Sequence, residues 1–191
     1  MSDAPAPNPF DDGARCFIAL LPDAASIETL LACRTALADG MPGAAHRLRW
    51  IDRAALHLTL RFLGAASAPQ QEQLVRAMSD LSRPLHPLAT RRYGIWPNRA
   101  RPRLLVLELA RDVALVELAD ACESRVQAAG FAPETRPFRA HVSMARLRPG
   151  CAFGELPAPP PVLAFDSLSL MQSHLTQPAA TYRELHRARL E

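Results

Sequence analysis

Two four-residue words constrain what this chain can fold into: His57-Leu58-Thr59-Leu60 and His141-Val142-Ser143-Met144. Each reads imidazole, apolar, hydroxyl, apolar. Side chains of a β-strand alternate between faces, so residues two apart share one side. Each word, as a strand, therefore presents an imidazole and a hydroxyl on one face and two apolar side chains on the other. The words begin at 57 and 141 of 191 residues, nearly half a chain apart. That spacing suggests two similar lobes, each giving one His–hydroxyl pair to a common cleft. A third near-match, His174-Leu175-Thr176-Gln177, ends in a polar residue followed by Pro178 and reads as a strand end or turn.

The pattern around the words is mixed. Residues 15–21 (RCFIALL), 48–51, 56–63, 88–96, 103–109 (RLLVLEL), 138–147, 163–172 and 182–190 read as strands. Asp23 is placed to cap a helix over 24–38, Ser67-Ala68-Pro69 opens one through about 81, and 112–129 carries helical periodicity ending at Gly130. Strands arrive in pairs between helices, which fits an α+β layered fold better than a doubly wound parallel sheet. Residues 1–13, rich in Pro and Asp, read as a disordered N-terminal segment, and 14–191 as one domain of two sub-lobes.

Composition narrows the class without naming it. The 22 basic residues are all arginine, against 19 acidic, for a net charge of +3. This mild excess permits a phosphate-bearing partner, and arginine's planar fork suits one. Cys16, Cys33, Cys122 and Cys151 form no CxxC and no metal-ligand spacing, so the thiols are expected to be reduced. The first residues lack the apolar core of a signal peptide, and no apolar run is long enough to cross a bilayer. The expected location is the cytoplasm, with no membrane association and a monomeric state.

With these residues in view, the chain resembles the 2H phosphoesterase superfamily, specifically the bacterial RNA 2′,3′-cyclic phosphodiesterases also called 2′-5′ RNA ligases. The resemblance covers most of the chain. It rests on 15–20 (RCFIAL), 48–51 (LRWI), 56–64 (LHLTLRFLG) and 136–146 (RPFRAHVSMAR). The second word departs from the family form, with Ala140 where Pro is usual and Ser143 where Thr is usual; the hydroxyl is kept and the methyl that restricts its rotamer is lost. Ser173 and Tyr182 correspond loosely to late landmarks of the family. The resemblance implies a bilobal fold, two pseudo-symmetric lobes of antiparallel sheet with helices outside and a central cleft. It also implies hydrolysis of RNA 2′,3′-cyclic phosphate ends to 2′-phosphate, with neither metal nor cofactor.

The chemistry explains the words. Opening a cyclic phosphodiester with water needs one group to take a proton and another to give one to the departing ribose oxygen, and imidazole does either near neutrality. Charge developing on the non-bridging oxygens needs donors already in place, which Thr59 and Ser143 supply. By analogy with the family, His57 is the general acid towards O3′ and His141 the general base for water.

Three further residues are substrate-binding candidates. Arg61, four residues after His57, shares its face by parity and either meets substrate phosphate or is a solvated strand-edge cation. Parity puts Arg146 and Phe62 on the faces opposite their histidines, whereas the resemblance favours a phosphate contact for Arg146. For Phe62 the alternatives are stacking on a base or packing in the core. The cluster Arg91, Arg92, Arg99, Arg101 and Arg103 is either an RNA path or a solvated loop. Partners follow as RNA with a 2′,3′-cyclic phosphate end or a small cyclic nucleotide. Competing readings are a reversible 2′-5′ ligase, which without a lysine or an ATP motif would run as transesterification, a phosphodiesterase for another small cyclic phosphate, and an RNA-binding module without turnover.

Overall fold

A computed structural model describes residues 10–41, 46–174 and 181–190. Its elements follow the expected order: β1 (Ala14–Pro22), α1 (Ala24–Asp39), β2 (Leu48–Trp50), β3 (Leu58–Ala66), α2 (Ala68–Met78), β4 (Leu88–Trp96), β5 (Leu104–Leu109), α3 (Val113–Ala128), β6 (His141–Leu147), β7 (Val162–Leu163), β8 (Phe165–His174) and β9 (Thr181–Arg189). Each helix starts at a side-chain cap. Asp23 accepts from Ser26 N at 2.7 Å, Asp112 accepts from Leu115 N at 3.0 Å, and Ser67 with Gln70 forms a reciprocal capping box.

The strands pair antiparallel in the order β7-β4-β5-β6-β3-β1-β8-β9, with β2 added to β6. The expected two lobes are thus the halves of one continuous sheet, β9-β8-β1-β3 and β6-β5-β4-β7, and the pairing between them is the single register Leu58↔Val142. All three helices pack on one side of this sheet. Their apolar residues, Leu30 and Leu37, Leu74 and Met78, Leu118 and Cys122, share a core with Ile18, Leu20, Leu58, Leu107 and Val142. The opposite face is left open over the junction.

Two boundaries differ from the sequence expectation. The first nine residues of the segment expected to be disordered lie outside the described residues. Its remainder, 10–13, is held: Asp11 accepts from Gln71 through its carbonyl at 2.7 Å and from Gln172 through its carboxylate at 2.8 Å, and Asp12 accepts from Ala68 N at 3.1 Å. The strand expected over 163–172 is broken at Ala164, whose carbonyl accepts from Asp23 N and whose N–H donates to Ser26 Oγ. The entry to α1 takes both of that residue's backbone groups and so interrupts the ladder. Of the near-match after His174, residues 175–177 lie outside the described residues. Among the described residues no helix is long and apolar enough to cross a membrane.

Candidate active site

The junction between the halves places the two His–hydroxyl words. Leu58 and Val142 face each other in antiparallel register with both side chains fully buried. The residues flanking each of them, His57 and Thr59, His141 and Ser143, therefore turn to the opposite, open face. Two strand words from distant parts of the chain meet there around a cleft of about 970 Å³, and all four side chains line it.

Both imidazoles are held in the same way. His57 Nδ1 lies 2.8 Å from the carbonyl of Ala55, and His141 Nδ1 lies 2.7 Å from the carbonyl of Arg139. A carbonyl only accepts, so each Nδ1 carries the proton and donates it two residues back, leaving Nε2 free for the cleft. The one-turn 3-10 helix Arg53–Ala55 sets the first carbonyl. The second belongs to the segment before β6, where Ala140 O accepts from Leu109 N at 3.0 Å. Ala140 contributes that carbonyl, which a proline offers equally, so the departure from the family form leaves the pairing as it is.

The surroundings of the two rings differ. His57 sits against Phe17 at 4.9 Å and edge-on to Tyr182 at 5.4 Å. Burial in this aromatic wall pushes its pKa down to about 4, against the support of the Ala55 carbonyl and with a further lowering from His141. His141 packs on Trp96 at 4.4 Å. Its pKa is also lowered, by burial first and by the Arg139 charge, while the Arg139 carbonyl and the Glu108 carboxylate act the other way.

Glu108 was not singled out in the sequence, and it organises this side. It is 8% exposed and lies opposite His141 in the β5–β6 register. Its carboxylate accepts from Trp96 Nε1 at 2.8 Å, Arg92 Nε at 2.9 Å and Arg139 at 3.4 Å. Burial alone would raise its pKa, but these hydrogen bonds and the two positive charges outweigh it and hold the carboxyl below its ordinary value. Arg139 in turn lies 3.8 Å over the Trp96 ring. Gly94 makes room: a Cβ there would lie 2.9 Å from Glu108 Oε1 and 3.2 Å from Trp96 Nε1. The one signal in the sequence was an acid inside an otherwise apolar strand, RLLVLEL.

The remaining predicted residues are rearranged by two β-bulges. In β3 the register against β1 passes from Ala19↔Thr59 to Ile18↔Arg61, so Leu60 is an extra residue. Beyond it the parity reverses. Phe62, opposite Phe17, joins the cleft face with its ring 6.0 Å from that of Phe17, and it is 56% exposed. Arg61, opposite Ile18 and past the bulge, still lines the cleft, at the side where Glu123 and Glu134 also line it. Its guanidinium binds Glu123 at 2.5 Å, Glu134 at 3.8 Å and the carbonyls of Phe62 and Ala132. It is neither a solvated cation nor a free phosphate donor; it ties β3 to α3 and to the segment before β6.

In β6 the register against β5 passes from Val106↔Ser143 to Leu105↔Ala145, and Met144 is extra. Arg146 is thereby returned to the open face, where it lines the cleft. Its parity assignment is corrected. The two words thus share one more feature: the fourth residue of each is bulged, and the residue five after each histidine, Phe62 or Arg146, faces the cleft. Ser173 and Tyr182 line it too. Of the arginine cluster, Arg92 is bound to Glu108, and Arg99 donates to the carbonyls of Phe153 and Gly154. All four cysteines are free; burial pushes the Cys16 thiol up to about 11 and Cys122 up to about 12. Among the described residues, no three His, Cys, Asp or Glu side chains cluster as metal ligands.

A continuous antiparallel sheet with helices on one side and two His–hydroxyl words meeting on the other is the arrangement that the resemblance to 2H phosphoesterases led one to expect. Comparison with known proteins agrees. Residues 27–106 match the family model of LigT-like phosphoesterases. The chain is 29% identical over 150 residues to the RNA 2′,3′-cyclic phosphodiesterase of Bacillus subtilis, covering 74% of this chain and 80% of that one. It is 27% identical over 142 residues to the enzyme of the same name from Aeropyrum pernix, covering 68% and 79%. The crystal structure of Escherichia coli LigT complexed with 3′-AMP superposes with a TM-score of 0.71 at 27% identity, over 93% of this chain and 98% of that one. The chain is thus similar to LigT-like phosphoesterases in sequence and in fold.

Proposed function

We propose that this protein hydrolyses RNA 2′,3′-cyclic phosphate ends to 2′-phosphates with its two histidines as the acid–base pair. The activity is the one named for its relatives. The observation that carries the mechanism is the junction: Leu58↔Val142 pairing sets two Nε2 atoms and two hydroxyls around one opening. A phosphate seated there is flanked by both imidazoles. Following the family assignment, His141 Nε2 accepts a proton from water as its oxygen attacks phosphorus in line. The P–O3′ bond breaks, and His57 Nε2 gives its proton to O3′. The products are a 3′-hydroxyl and a 2′-phosphate. Thr59 and Ser143 donate to the non-bridging oxygens as charge develops on them.

His57 in the empty cleft favours the neutral ring, so its proton arrives with the substrate: a phosphate anion beside it stabilises the imidazolium. In this reading Phe62 and Phe17 offer the terminal base a stacking wall, and Arg146 meets phosphate. The test incubates the purified protein, with EDTA present, with an oligoribonucleotide ending in 2′,3′-cyclic phosphate, and then locates the product phosphate. Turnover to a 2′-phosphate is expected. A 3′-phosphate product would reverse the leaving group, and loss of turnover in EDTA would overturn the metal-free mechanism.

A further inference from the structure

Three neighbouring strands line up a cation, an anion and an imidazole. In the β4–β5 ladder Arg92 lies directly opposite Glu108, and in the β5–β6 ladder Glu108 lies directly opposite His141. Residues directly opposite share a face, with Cβ atoms about 5 Å apart. The carboxylate therefore stands beside the imidazole. Its strand is otherwise apolar: Leu105, Val106 and Leu107 are fully buried, and Glu108 follows them. A carboxylate at such a position costs desolvation that an apolar side chain does not. Donors from Trp96, Arg92 and Arg139 keep it charged there.

That charge offsets another. Arg139 supplies the carbonyl that takes the Nδ1 proton of His141, and it brings a guanidinium over the Trp96 ring on which His141 packs. A cation in this place opposes protonation of the imidazole. Glu108 binds that guanidinium and the one of Arg92. The other charged or titratable groups towards His141 are His57 across the seam and, along the cleft wall, Arg146 and Arg136 with its partner Glu134. Glu108 reaches the cleft through Trp96, Arg139 and His141, which line it. The first histidine has different support, since His57 rests on Phe17 and Tyr182.

Resting on the two-histidine reading above, we propose that Glu108 is a positioning residue for His141: its carboxylate offsets the arginine charge beside the imidazole and keeps that ring able to take the proton of water. The row Arg92–Glu108–His141 then serves one of the two histidines alone, and the two imidazoles differ in basicity because one strand carries an acid.

The test titrates His141 in the free protein by NMR, through the imidazole C–H signal that is lost in His141→Ala. Glu108→Gln keeps an acceptor for Trp96 and removes the charge. Its His141 midpoint is expected to fall by about one pH unit. The kcat/KM optimum on an oligoribonucleotide ending in 2′,3′-cyclic phosphate should fall by about half as much, since it lies midway between the two histidines. Removing the opposing cation as well, in Glu108→Gln/Arg139→Gln, should bring the midpoint back up. A residue that only held the strands together would show no such rescue. An unmoved midpoint in folded Glu108→Gln would overturn the proposal, as would a double variant that titrates no higher than the single one. If Glu108→Gln does not fold, Arg139→Gln alone, at a side chain 61% exposed, carries the test: its His141 midpoint should rise above the wild-type value, and no rise would overturn the proposal. The titration needs no turnover. A wild type that leaves the cyclic phosphate intact would therefore overturn the phosphodiesterase reading, while the midpoints decide the role of Glu108 separately.

Discussion

Each histidine gives its Nδ1 proton to the carbonyl two residues back, and this one bond decides tautomer, ring orientation and which nitrogen works. The rings differ in what surrounds them, Phe17 and Tyr182 for His57, Trp96 with Arg139 and Glu108 for His141. Both pKa values are nonetheless lowered, because burial disfavours the imidazolium in each. An acid–base pair is active with one proton between its members, and that form peaks midway between the two pKa values. With both below the ordinary 6.5, the kcat/KM profile, which reports the free enzyme, is expected to peak below pH 6.5. The kcat profile should lie higher, since bound phosphate raises the acid. A kcat/KM maximum above pH 7.5 would contradict this. At this scale the sequence revealed the two histidines and their hydroxyls, because strand spacing alone aligns them. It did not reveal Glu108, Trp96 or Phe17, whose roles come from neighbouring strands and not from their own segments.

At the scale of the strand, the two bulges are the lesson. Strict alternation put Arg61 with His57 and put Phe62 and Arg146 away from the histidines. One extra residue at Leu60 and one at Met144 bring Phe62 and Arg146 to the cleft, while Arg61, which also lines it, is bound to Glu123 and Glu134. Nothing in the local residue pattern marks either bulge; both show only against the partner strand. The consequence for Arg61 is measurable. Its side chain is 12% exposed, and that of Glu123 is 24%. Arg61→Ala leaves Glu123 without its cation, while Glu134 keeps Arg136, and should cost about 2–3 kcal/mol, less than a fully buried pair because Glu123 keeps some water. Phe62→Ala, at an exposed position, should cost within about 0.5 kcal/mol. Denaturant unfolding of the two variants checks the contrast. Equal stabilities would mean that Arg61 does not hold β3 to α3. Helix positions, by comparison, were readable from Asp23, Ser67 and Asp112, since a cap is a local interaction.

Across the whole molecule, two sheet halves meet at one residue pair, and the two His–hydroxyl words sit on that seam. The repetition of the two words was enough to suggest two lobes and a shared cleft. Their union into one continuous sheet was not readable, because it depends on Leu58↔Val142 pairing across 84 residues. If the seam assembles one acid–base unit, its histidines act together and their removal is not additive. The decisive measurement is single-turnover hydrolysis of a 2′,3′-cyclic phosphate dinucleotide by wild type, His57→Ala, His141→Ala and the double variant, each verified as folded by circular dichroism. Each single variant should lose about 10²- to 10⁴-fold, with the double variant only a few-fold slower than the worse single one. A folded single variant with near-normal turnover, or losses that multiply in full, would contradict the two-histidine account.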